Sequence, residues 1–326
     1  MTQEKLLFLG RSAIESLDIS VVEMIEAVEN GFQSIADEKA ELPDKPTIHP
    51  RPDCFIRALP GYLKGMDLAG IKWVSAYPTN RQIGLPLVNG LVLLNNPQTG
   101  FPKAFMEGNW ITAWRTAAVS AVVAKVLAVK TTDTLGICGA GVQGNTHIST
   151  LCKVLPNLRK VKVFDPNREA LSTFIQQQAR MHPDFDFQMV STAQNAFHGA
   201  QVVVTAAPMR TKPLAIIQKK DLTPSVLLLP VDLDSYFSAS AFNACQKIFS
   251  DDIDQFLWLK NQGRFTNVKK LNGSYSQLLS GRVNGRENDT EFIMAISVGI
   301  AVGDLVIADL IYSRACEQNI GTWLEL

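Results

Sequence analysis

A glycine-rich segment near the middle of the chain has the residue types and spacing to bind a dinucleotide. Residues 139–144 read Gly-Ala-Gly-Val-Gln-Gly and lie between a short apolar run and a helical pattern. In a G-x-G-x-x-G turn the first glycine permits the tight turn, the second admits a pyrophosphate, and the third allows close packing of helix and strand. The first N–H groups of the following helix then point at the phosphates. The residues predicted to bind the cofactor here are Gly139, Gly141, Val142, Gln143 and Gly144.

An acidic residue at the expected distance supports this prediction. Asp165 ends the next apolar run, about 20 residues after the turn, where a carboxylate binds the ribose 2′-hydroxyl of NAD. Its charge would repel the 2′-phosphate of NADP, whereas Arg168, just beyond it, could pair with that phosphate. The sequence therefore favours NAD and leaves NADP open.

The elements that position this turn alternate between apolar strands and helices. Runs such as TLGIC at residues 134–138 and QVVVTAA at residues 201–207 are uninterrupted and rich in β-branched residues. Helical patterns, for example over residues 167–181, separate them. This alternation indicates a parallel sheet covered on both faces. We expect an α/β, doubly wound Rossmann domain over residues 131–302.

The earlier part of the chain has a different character. A helical stripe over residues 21–35 precedes turn formers and short β-like runs over residues 42–102, which indicate an antiparallel sheet with exposed loops. A last helical pattern, over residues 303–319, lies too far along the chain to belong to the parallel sheet. We expect it to return to the first domain, a discontinuous α+β domain over residues 1–130 and 303–326.

Composition excludes several classes of protein. Hydrophobic residues make up 46% of the chain, and 31 basic side chains balance 31 acidic ones, so neither disorder nor a nucleic-acid-binding surface is expected. Two apolar stretches, residues 111–129 and 292–311, carry internal charges that would be costly in a bilayer, and we interpret both as Ala-rich buried helices.

The cysteines and histidines favour a reduced protein without a structural metal. The five cysteines lack C-x-x-C pairs, and the four histidines lack ligand-like spacing. No signal peptide is visible in the first residues, so we expect a soluble cytoplasmic protein with no membrane contact.

Several longer segments resemble the ornithine cyclodeaminase and μ-crystallin family. These segments are LAGIKWVSAYPTN, GLPLVNGLVLLNNPQTGFPKAFMEGNWITAWRTAAVSAVVAKVLA, GICGAGVQG, and GREND followed by SVGIAVGDLVIADLIY. The resemblance extends over residues 8–326 and is most specific over residues 84–128. It implies a substrate-binding and dimerisation domain, a Rossmann domain, and assembly as a homodimer.

The resemblance also implies roles for basic residues of the first domain. Arg115 falls on the arginine that clamps the substrate carboxylate, a role that suits a planar guanidinium. Lys72 falls on the lysine near the carboxylate and the reacting carbon, and its place in an apolar run is costly without such a partner. Lys45 and Arg57 match two further basic positions around the substrate.

Further cofactor contacts follow from the same resemblance. Thr116 would face the phosphates together with the glycine turn, and Thr205 would line the cofactor site. Ser297 and Gly299 lie in a segment that resembles the one beside the nicotinamide.

The chain departs from the family pattern where the catalytic acid is expected. Ornithine cyclodeaminases and alanine dehydrogenase carry G-(A/S)-D-x-P-G-K-x-E-L, whereas residues 230–237 read PVDLDSYF. Alignment from the strand start places Asp234 on the proton donor and acceptor, and alignment from the far end places Asp232 there. The i, i+2 spacing points both carboxylates to one side of an extended chain. We expect Asp234 to be the catalytic residue, with Asp232 as the alternative.

The function that the resemblance implies is hydride transfer at the Cα of a small 2-amino or 2-imino acid, as in a ketimine reductase or an amino-acid dehydrogenase. Two alternatives stay open. One is an ornithine cyclodeaminase that forms proline and ammonia while recycling NAD, although loss of the PGK portion weakens it. The other is a crystallin-like protein that binds a dinucleotide and a small ligand.

Overall fold

The structure is a computed structural model that describes residues 5–37, 40–208 and 212–326. The chain divides into two compact units, Met1–Ala118 with Ile300–Leu326 and Val119–Gly299. We call them the first and second unit. The first division falls within one continuous helix, whereas the sequence predicted a boundary after that helix, at residue 130.

The secondary structure has the following bounds. The strands are β1 (Lys5–Leu9), β2 (Ala40–Glu41), β3 (Thr47–Ile48), β4 (Phe55–Leu63), β5 (Leu68–Ala76), β6 (Val88–Asn95), β7 (Pro102–Glu107), β8 (Thr134–Cys138), β9 (Lys160–Phe164), β10 (Asp186–Met189), β11 (Val202–Thr205), β12 (Leu227–Pro230), β13 (Lys247–Ser250), β14 (Gly273–Ser274), β15 (Ile293–Ile296) and β16 (Thr322–Glu325). The helices are α1 (Arg11–Glu15), α2 (Val21–Ala36), α3 (Gly108–Leu127), α4 (Val142–Val154), α5 (Arg168–Met181), α6 (Ala193–Phe197), α7 (Ala239–Ala244), α8 (Ile253–Asn261), α9 (Tyr275–Leu279) and α10 (Ala301–Gln318).

The first unit is built on a mixed sheet with the strand order β16-β1-β7-β6-β5-β4-β2, and β3 pairs with β4. Strands β4 to β7 are antiparallel, as the turn-rich sequence predicted. The terminal strands β1 and β16, which the sequence did not reveal, extend the sheet at one edge. Helix α2 begins with a capping box between Ser20 and Glu23, which satisfies N–H groups at its start.

Helix α10 packs closely on the inner face of this sheet. Lys72 and Val74 of β5 are buried, while Trp73 between them is 49% exposed, because successive side chains of a strand point to opposite faces. A Cβ at Gly70 would lie 2.9 Å from the side chain of Leu305, so this glycine permits the close approach of the helix.

The second unit contains the predicted parallel sheet, with the order β10-β9-β8-β11-β12-β15-β13-β14. Its central strands are buried along their whole length, as expected for a sheet covered by helices on both faces. From the centre the order runs through β8, β9 and β10 to one side and begins with β11 and β12 on the other, which is the doubly wound arrangement of a Rossmann fold. Strand β15 lies between β12 and β13. The predicted fold class is confirmed.

The interpretation of residues 292–311 as one helix was wrong. Ile293–Ile296 forms β15, which pairs with β12 and β13, and α10 begins only at Ala301. Gly299 separates the two elements with a positive φ of 79°. A short apolar run does not by its periodicity distinguish a buried strand from a buried helix.

The other long apolar stretch is a helix, as predicted. Within the described part of the chain, α3 alone is long and apolar enough to cross a membrane by length and composition. Of its most apolar window, 72% is buried in the protein, which is usual for a core helix.

Candidate functional site

The glycine turn of the second unit has the geometry of a phosphate cradle. A Cβ at Gly139, whose φ is 123°, would lie 2.6 Å from the carbonyl oxygen of Ala206. A Cβ at Gly144 would lie 2.4 Å from the carbonyl oxygen of Gly139, whereas one at Gly141 would face open space. The turn therefore packs tightly on its strands while the backbone at its centre is open to a ligand.

The start of α4 offers N–H groups to that ligand. Gly141 is the N-cap, and because it has no side chain it caps none of the first N–H groups of the helix. Val142, the first helical residue, is 65% exposed, and Gln143 follows it. These features fit a pyrophosphate at the helix N-terminus, so the residues present suit a dinucleotide.

Asp165 braces the turn from the end of β9. One oxygen, Oδ2, accepts a hydrogen bond of 2.9 Å from the N–H of Ala140, and Oδ1 accepts one of 2.8 Å from the N–H of Asn167. The carboxylate thus stands beside the turn, at the position where the ribose of NAD is bound in this type of fold. Arg168, at the start of α5, is exposed.

A second carboxylate is buried at the carboxyl edge of the same sheet. Asp232, just after β12, is 1% exposed, and its Oδ1 accepts a hydrogen bond of 2.6 Å from the hydroxyl of Thr205 at the end of β11. Its Oδ2 accepts one of 3.1 Å from the N–H of Ala207. Burial raises the pKa of Asp232 to about 7, although these hydrogen bonds oppose the shift. This side chain can therefore gain or lose a proton near neutral pH.

Asp234 has different surroundings. Its Oδ1 accepts a hydrogen bond of 3.1 Å from Nη1 of Arg264, and its Oδ2 accepts one of 2.8 Å from the N–H of Phe265. The expectation that both carboxylates point to one side of an extended chain was wrong. Leu233 has a φ of 61°, so the chain turns between Asp232 and Asp234 and sends them to different partners.

The segment with Ser297 and Gly299 is held by a carboxylate that the sequence analysis did not single out. Asp251, after β13, accepts hydrogen bonds of 2.8 Å from the N–H groups of Val298 and Gly299. The hydroxyls of Ser297 and the buried Tyr275 lie 3.2 Å apart. In the sequence, Asp251 is recognisable only as the first of two aspartates, Asp251 and Asp252, that follow the short apolar run KIFS.

The first unit brings two of its predicted site residues together on a third. Nζ of Lys72 donates a hydrogen bond of 2.7 Å to Oδ1 of Asp304. Nε of Arg115 lies 3.1 Å from the same oxygen, an ion pair without hydrogen-bond geometry. Burial and the charge of Arg115 lower the pKa of Lys72 to about 7, although Asp304 opposes the shift. We call these three residues the Lys72 cluster.

The other predicted residues of the first unit take separate positions. Lys45 is half-buried, and its charge contributes to the lowered pKa of Lys72. Arg57, on β4, donates a hydrogen bond of 2.9 Å from Nε to the hydroxyl of Thr47, and burial lowers its pKa. The hydroxyl of Thr116 donates to the carbonyl of Thr112 within α3, at 2.7 Å.

Asp304 is the residue of the Lys72 cluster that sequence reasoning missed. An acidic residue inside an apolar helical pattern must find a cation if the helix is buried, because an unpaired buried charge is costly. The signal in the sequence is the acidic residue inside the apolar stretch VGDLVIA. Within residues 5–37, 40–208 and 212–326, no group of three His, Cys, Asp or Glu side chains could hold a metal ion.

Comparisons with known proteins agree with both units. The chain matches the sequence profile of the ornithine cyclodeaminase/mu-crystallin family over residues 4–319. It is 32% identical to the nodulation efficiency protein NfeD of Rhizobium meliloti, over 97% of each chain.

Two solved structures are also similar. One is the Δ1-pyrroline-2-carboxylate reductase of Thermococcus litoralis in complex with NADH and L-proline, with a TM-score of 0.88 and 30% identity over 97% of this chain and 99% of that chain. The other is an archaeal alanine dehydrogenase dimer with bound NAD, with a TM-score of 0.87 and 28% identity over 99% of each chain. The family profile matches nearly the whole chain, and the two similar structures also cover nearly all of it. This chain therefore belongs to the ornithine cyclodeaminase/mu-crystallin family.

Proposed function

We propose that this protein is an NAD-dependent oxidoreductase that interconverts a small 2-imino acid and the corresponding 2-amino acid, with reduction of a ketimine as the favoured activity. The observation that carries the proposal is Asp232. Its buried carboxyl has a pKa raised to about 7 and lies at the carboxyl edge of the sheet that bears the glycine turn. Ligands of doubly wound folds bind at this edge. A carboxyl group that is partly protonated at neutral pH is the acid that imine reduction needs.

The two relatives of known structure support the class of substrate. One is a reductase of a cyclic imino acid and the other a dehydrogenase of an amino acid, and both were solved with NAD or NADH. This chain is an enzyme of the same kind, and it acts on an amino or imino acid.

The second unit moves the proton. The bound nicotinamide supplies the hydride acceptor or donor. Asp232 in its acid form donates its proton to the imine nitrogen, which makes the imine carbon more electrophilic. Addition of hydride to that carbon and of the proton to nitrogen turns the C=N bond into an amine, and Asp232 is left as a carboxylate. Thr205 and Ala207 hold that carboxylate in place through their two hydrogen bonds.

The first unit binds the substrate carboxylate. Arg115 presents a planar guanidinium that can bind a carboxylate through two hydrogen bonds, and Lys72 adds a second cation fixed on Asp304. Lys45 and Arg57 add positive charge in the same unit. Asp165 favours NAD over NADP, because its carboxylate would repel a 2′-phosphate.

We propose Asp232, and not Asp234, as the proton donor and acceptor. Asp234 forms an ion pair with the cation Arg264 and accepts from the N–H of Phe265, and we assign it to holding that loop. The two hydrogen bonds of Asp232, in contrast, come from the neutral groups of Thr205 and Ala207. Asp232 is hydrogen-bonded to Thr205 at the end of β11. Strand β11 pairs with β8, the strand that leads into the glycine turn.

We further propose a homodimer formed by the outer face of the first sheet. Trp73 and Leu91 lie opposite each other on β5 and β6, and both are exposed. Phe8 and Phe105 form an aromatic pair on the same sheet, with ring centroids 6.3 Å apart. Adjoining apolar side chains of this size commonly mark an interface, and the similar alanine dehydrogenase is a dimer.

The dimer is tested by light scattering on Trp73→Glu. We expect this variant to be a monomer, whereas Met181→Glu, at an exposed apolar residue of the second unit, stays dimeric. A dimeric Trp73→Glu would place the interface elsewhere.

All the cysteines are unpaired thiols, which agrees with a cytoplasmic location.

The activity is tested by the absorbance of the reduced nicotinamide. Purified protein is mixed with NADH or NADPH and with pyrroline-2-carboxylate, piperideine-2-carboxylate, or pyruvate and an amine. We expect steady oxidation of NADH with one of these imines and slower oxidation of NADPH. If no imine changes the absorbance and ornithine is converted to proline and ammonia, the protein is a cyclodeaminase and the proposed reductase activity is wrong.

A further inference from the structure

Helix α10 carries a charge in the middle of its buried length. Asp304 is fully buried, and its neighbours Gly303 and Leu305 are buried as well. A carboxylate in such surroundings persists when cations compensate for the water it has lost. The residue therefore has a role that depends on its partners.

One oxygen of Asp304 serves both cations of the Lys72 cluster. Oδ1 accepts the hydrogen bond from Lys72 and lies 3.1 Å from Nε of Arg115. The buried Oδ2 accepts no hydrogen bond from any part of the chain that the structure describes. Lys72 comes from β5 and Arg115 from α3, so a single oxygen fixes the distance between cations of two different elements.

The charges around Lys72 are mostly positive. Arg115 of α3 and Lys45 of the segment before β3 both disfavour its ammonium form, and Asp304 of α10 favours it. Of the neighbouring strands, β4 carries Arg57 on the same face as Lys72, and β6 places the apolar Val92 opposite it. Asp304 therefore supplies the negative charge that favours the ammonium form of Lys72, and the surrounding cations leave a positive excess for an anionic ligand.

We propose that Asp304 is the positioning residue of the carboxylate-binding site: it holds Lys72 and Arg115 side by side and favours the ammonium form of Lys72, so that both bind one carboxylate of the substrate. The identity of that carboxylate rests on the proposed function. The role of Asp304 in setting the charge and the spacing of Lys72 and Arg115 does not depend on the proposed function.

The ionisation of Lys72 is tested without turnover. Carbon-13 NMR of the enzyme labelled at lysine Cε follows each ammonium group through a pH titration, and Lys72→Met assigns the resonance. We expect Lys72 of Asp304→Asn to titrate at least about one pH unit below the wild type, because the compensating charge is gone. Asp304→Glu keeps the charge and should titrate near the wild type.

Kinetics with an active imine test the positioning. Asp304→Asn should raise KM for the imine by about tenfold or more, with a smaller change in kcat and unchanged affinity for NADH. Asp304→Glu should also raise KM, because its longer side chain moves the cations apart. The matched control is Asp309→Asn on the same helix, where the partner is the partly exposed Lys103, and it should behave as the wild type.

The outcomes separate the two proposals. If the wild type reduces no imine, the proposed function fails, and the NMR titration still decides the role of Asp304. An unshifted Lys72 titration in Asp304→Asn overturns the charge role, and unchanged KM in both Asp304 variants overturns the positioning. If Asp304→Asn does not fold, Asp304→Glu decides: unchanged KM overturns the proposal, and a raised KM with Lys72 titrating near the wild type supports it.

Discussion

Thr205 and Asp232 are joined by a hydrogen bond of 2.6 Å that ties the ends of two adjacent parallel strands. The contact holds a carboxyl group whose pKa burial raises to about 7, so that both its acid form and its carboxylate form are present near neutral pH. Because the hydroxyl donates to the carboxylate, it favours the ionised form and limits the rise of the pKa. The pair therefore sets the pH range over which the proposed acid works.

Replacing Asp232 tests its role in proton transfer. Asp232→Asn should lower kcat by about 100-fold or more and leave NADH affinity unchanged. Imine reduction needs the protonated acid, so the wild-type kcat should fall as pH rises through about 7, and amine oxidation, which needs the base, should rise over the same range. A kcat of Asp232→Asn equal to that of the wild type would remove the residue from catalysis.

Asp234→Asn is the matched comparison. We expect a much smaller loss of kcat and a loss of stability of about 1–3 kcal/mol, because the hydrogen bonds from Arg264 and Phe265 are weakened. Thermal unfolding and steady-state kinetics measure the two effects. An inactive but stable Asp234→Asn would return the catalytic role to Asp234.

Thr205→Val removes the hydroxyl and keeps the shape of the side chain. The pKa of Asp232 should then rise further, since a hydrogen bond that favours the carboxylate is lost. The fall of kcat with pH should therefore shift to higher pH. Thr205→Ser keeps the donor, and its pH profile should match that of the wild type. Equal profiles for all three enzymes would mean that this contact does not control the acid.

Arg115 is expected to bind the substrate carboxylate. Arg115→Ala should raise KM for the imine by about 100-fold, since a hydrogen-bonded charge pair is lost, while NADH affinity stays the same. Arg115→Lys should recover only part of the loss, because an ammonium cannot make the two-pronged contact of a guanidinium. Unchanged kinetics in Arg115→Ala would exclude the role.

Asp165 is expected to support binding of NAD. Asp165→Ala removes the acceptor for the N–H of Ala140 and the charge that disfavours a 2′-phosphate. Affinity for NADH should fall by about tenfold or more, and the preference over NADPH should shrink. Nucleotide fluorescence titrations measure both, and an unaffected NADH affinity would contradict the prediction.

His147 should make the fold sensitive to acid. Its Nδ1 donates to the carbonyl of Gln143, in the first turn of α4, and its Nε2 accepts from the hydroxyl of Ser120. Burial lowers its pKa from 6.5 to about 4, so the unfolded chain takes up a proton that the native state refuses. Above pH 6.5 this difference in pKa costs no stability, because His147 is neutral in both states. As the pH falls from 6.5 towards 4, the free energy of unfolding decreases by up to about 3 kcal/mol.

The measurement is thermal unfolding of the wild type and His147→Gln between pH 8 and pH 4. The variant should be less stable at pH 8 and lose less stability on acidification. His198→Gln, at an exposed histidine, should keep the steepness of the wild type. If His147→Gln is as sensitive to acid as the wild type, the sensitivity has another source.

Much of the second unit could be predicted from local pattern. The turn at residues 139–144 and the apolar strands that flank it are short-range features, because a buried parallel strand and a tight glycine turn each impose their residue types directly on the sequence. The same holds for the helix over residues 21–35, whose apolar stripe matches the observed buried face of α2. Strand β15 was missed because an apolar run has no periodicity to read.

The sequence by itself also determined that Lys72 needs a partner, because a lysine in an apolar run would otherwise be a costly unpaired charge. Only the tertiary structure decided that Lys72 pairs with Asp304, which lies 232 residues away in the chain. It likewise separated Asp232 from Asp234, through a left-handed turn at Leu233. Periodicity reports which side chains are buried, but the pairing of buried charges depends on which distant elements pack together, and that is a property of the folded chain.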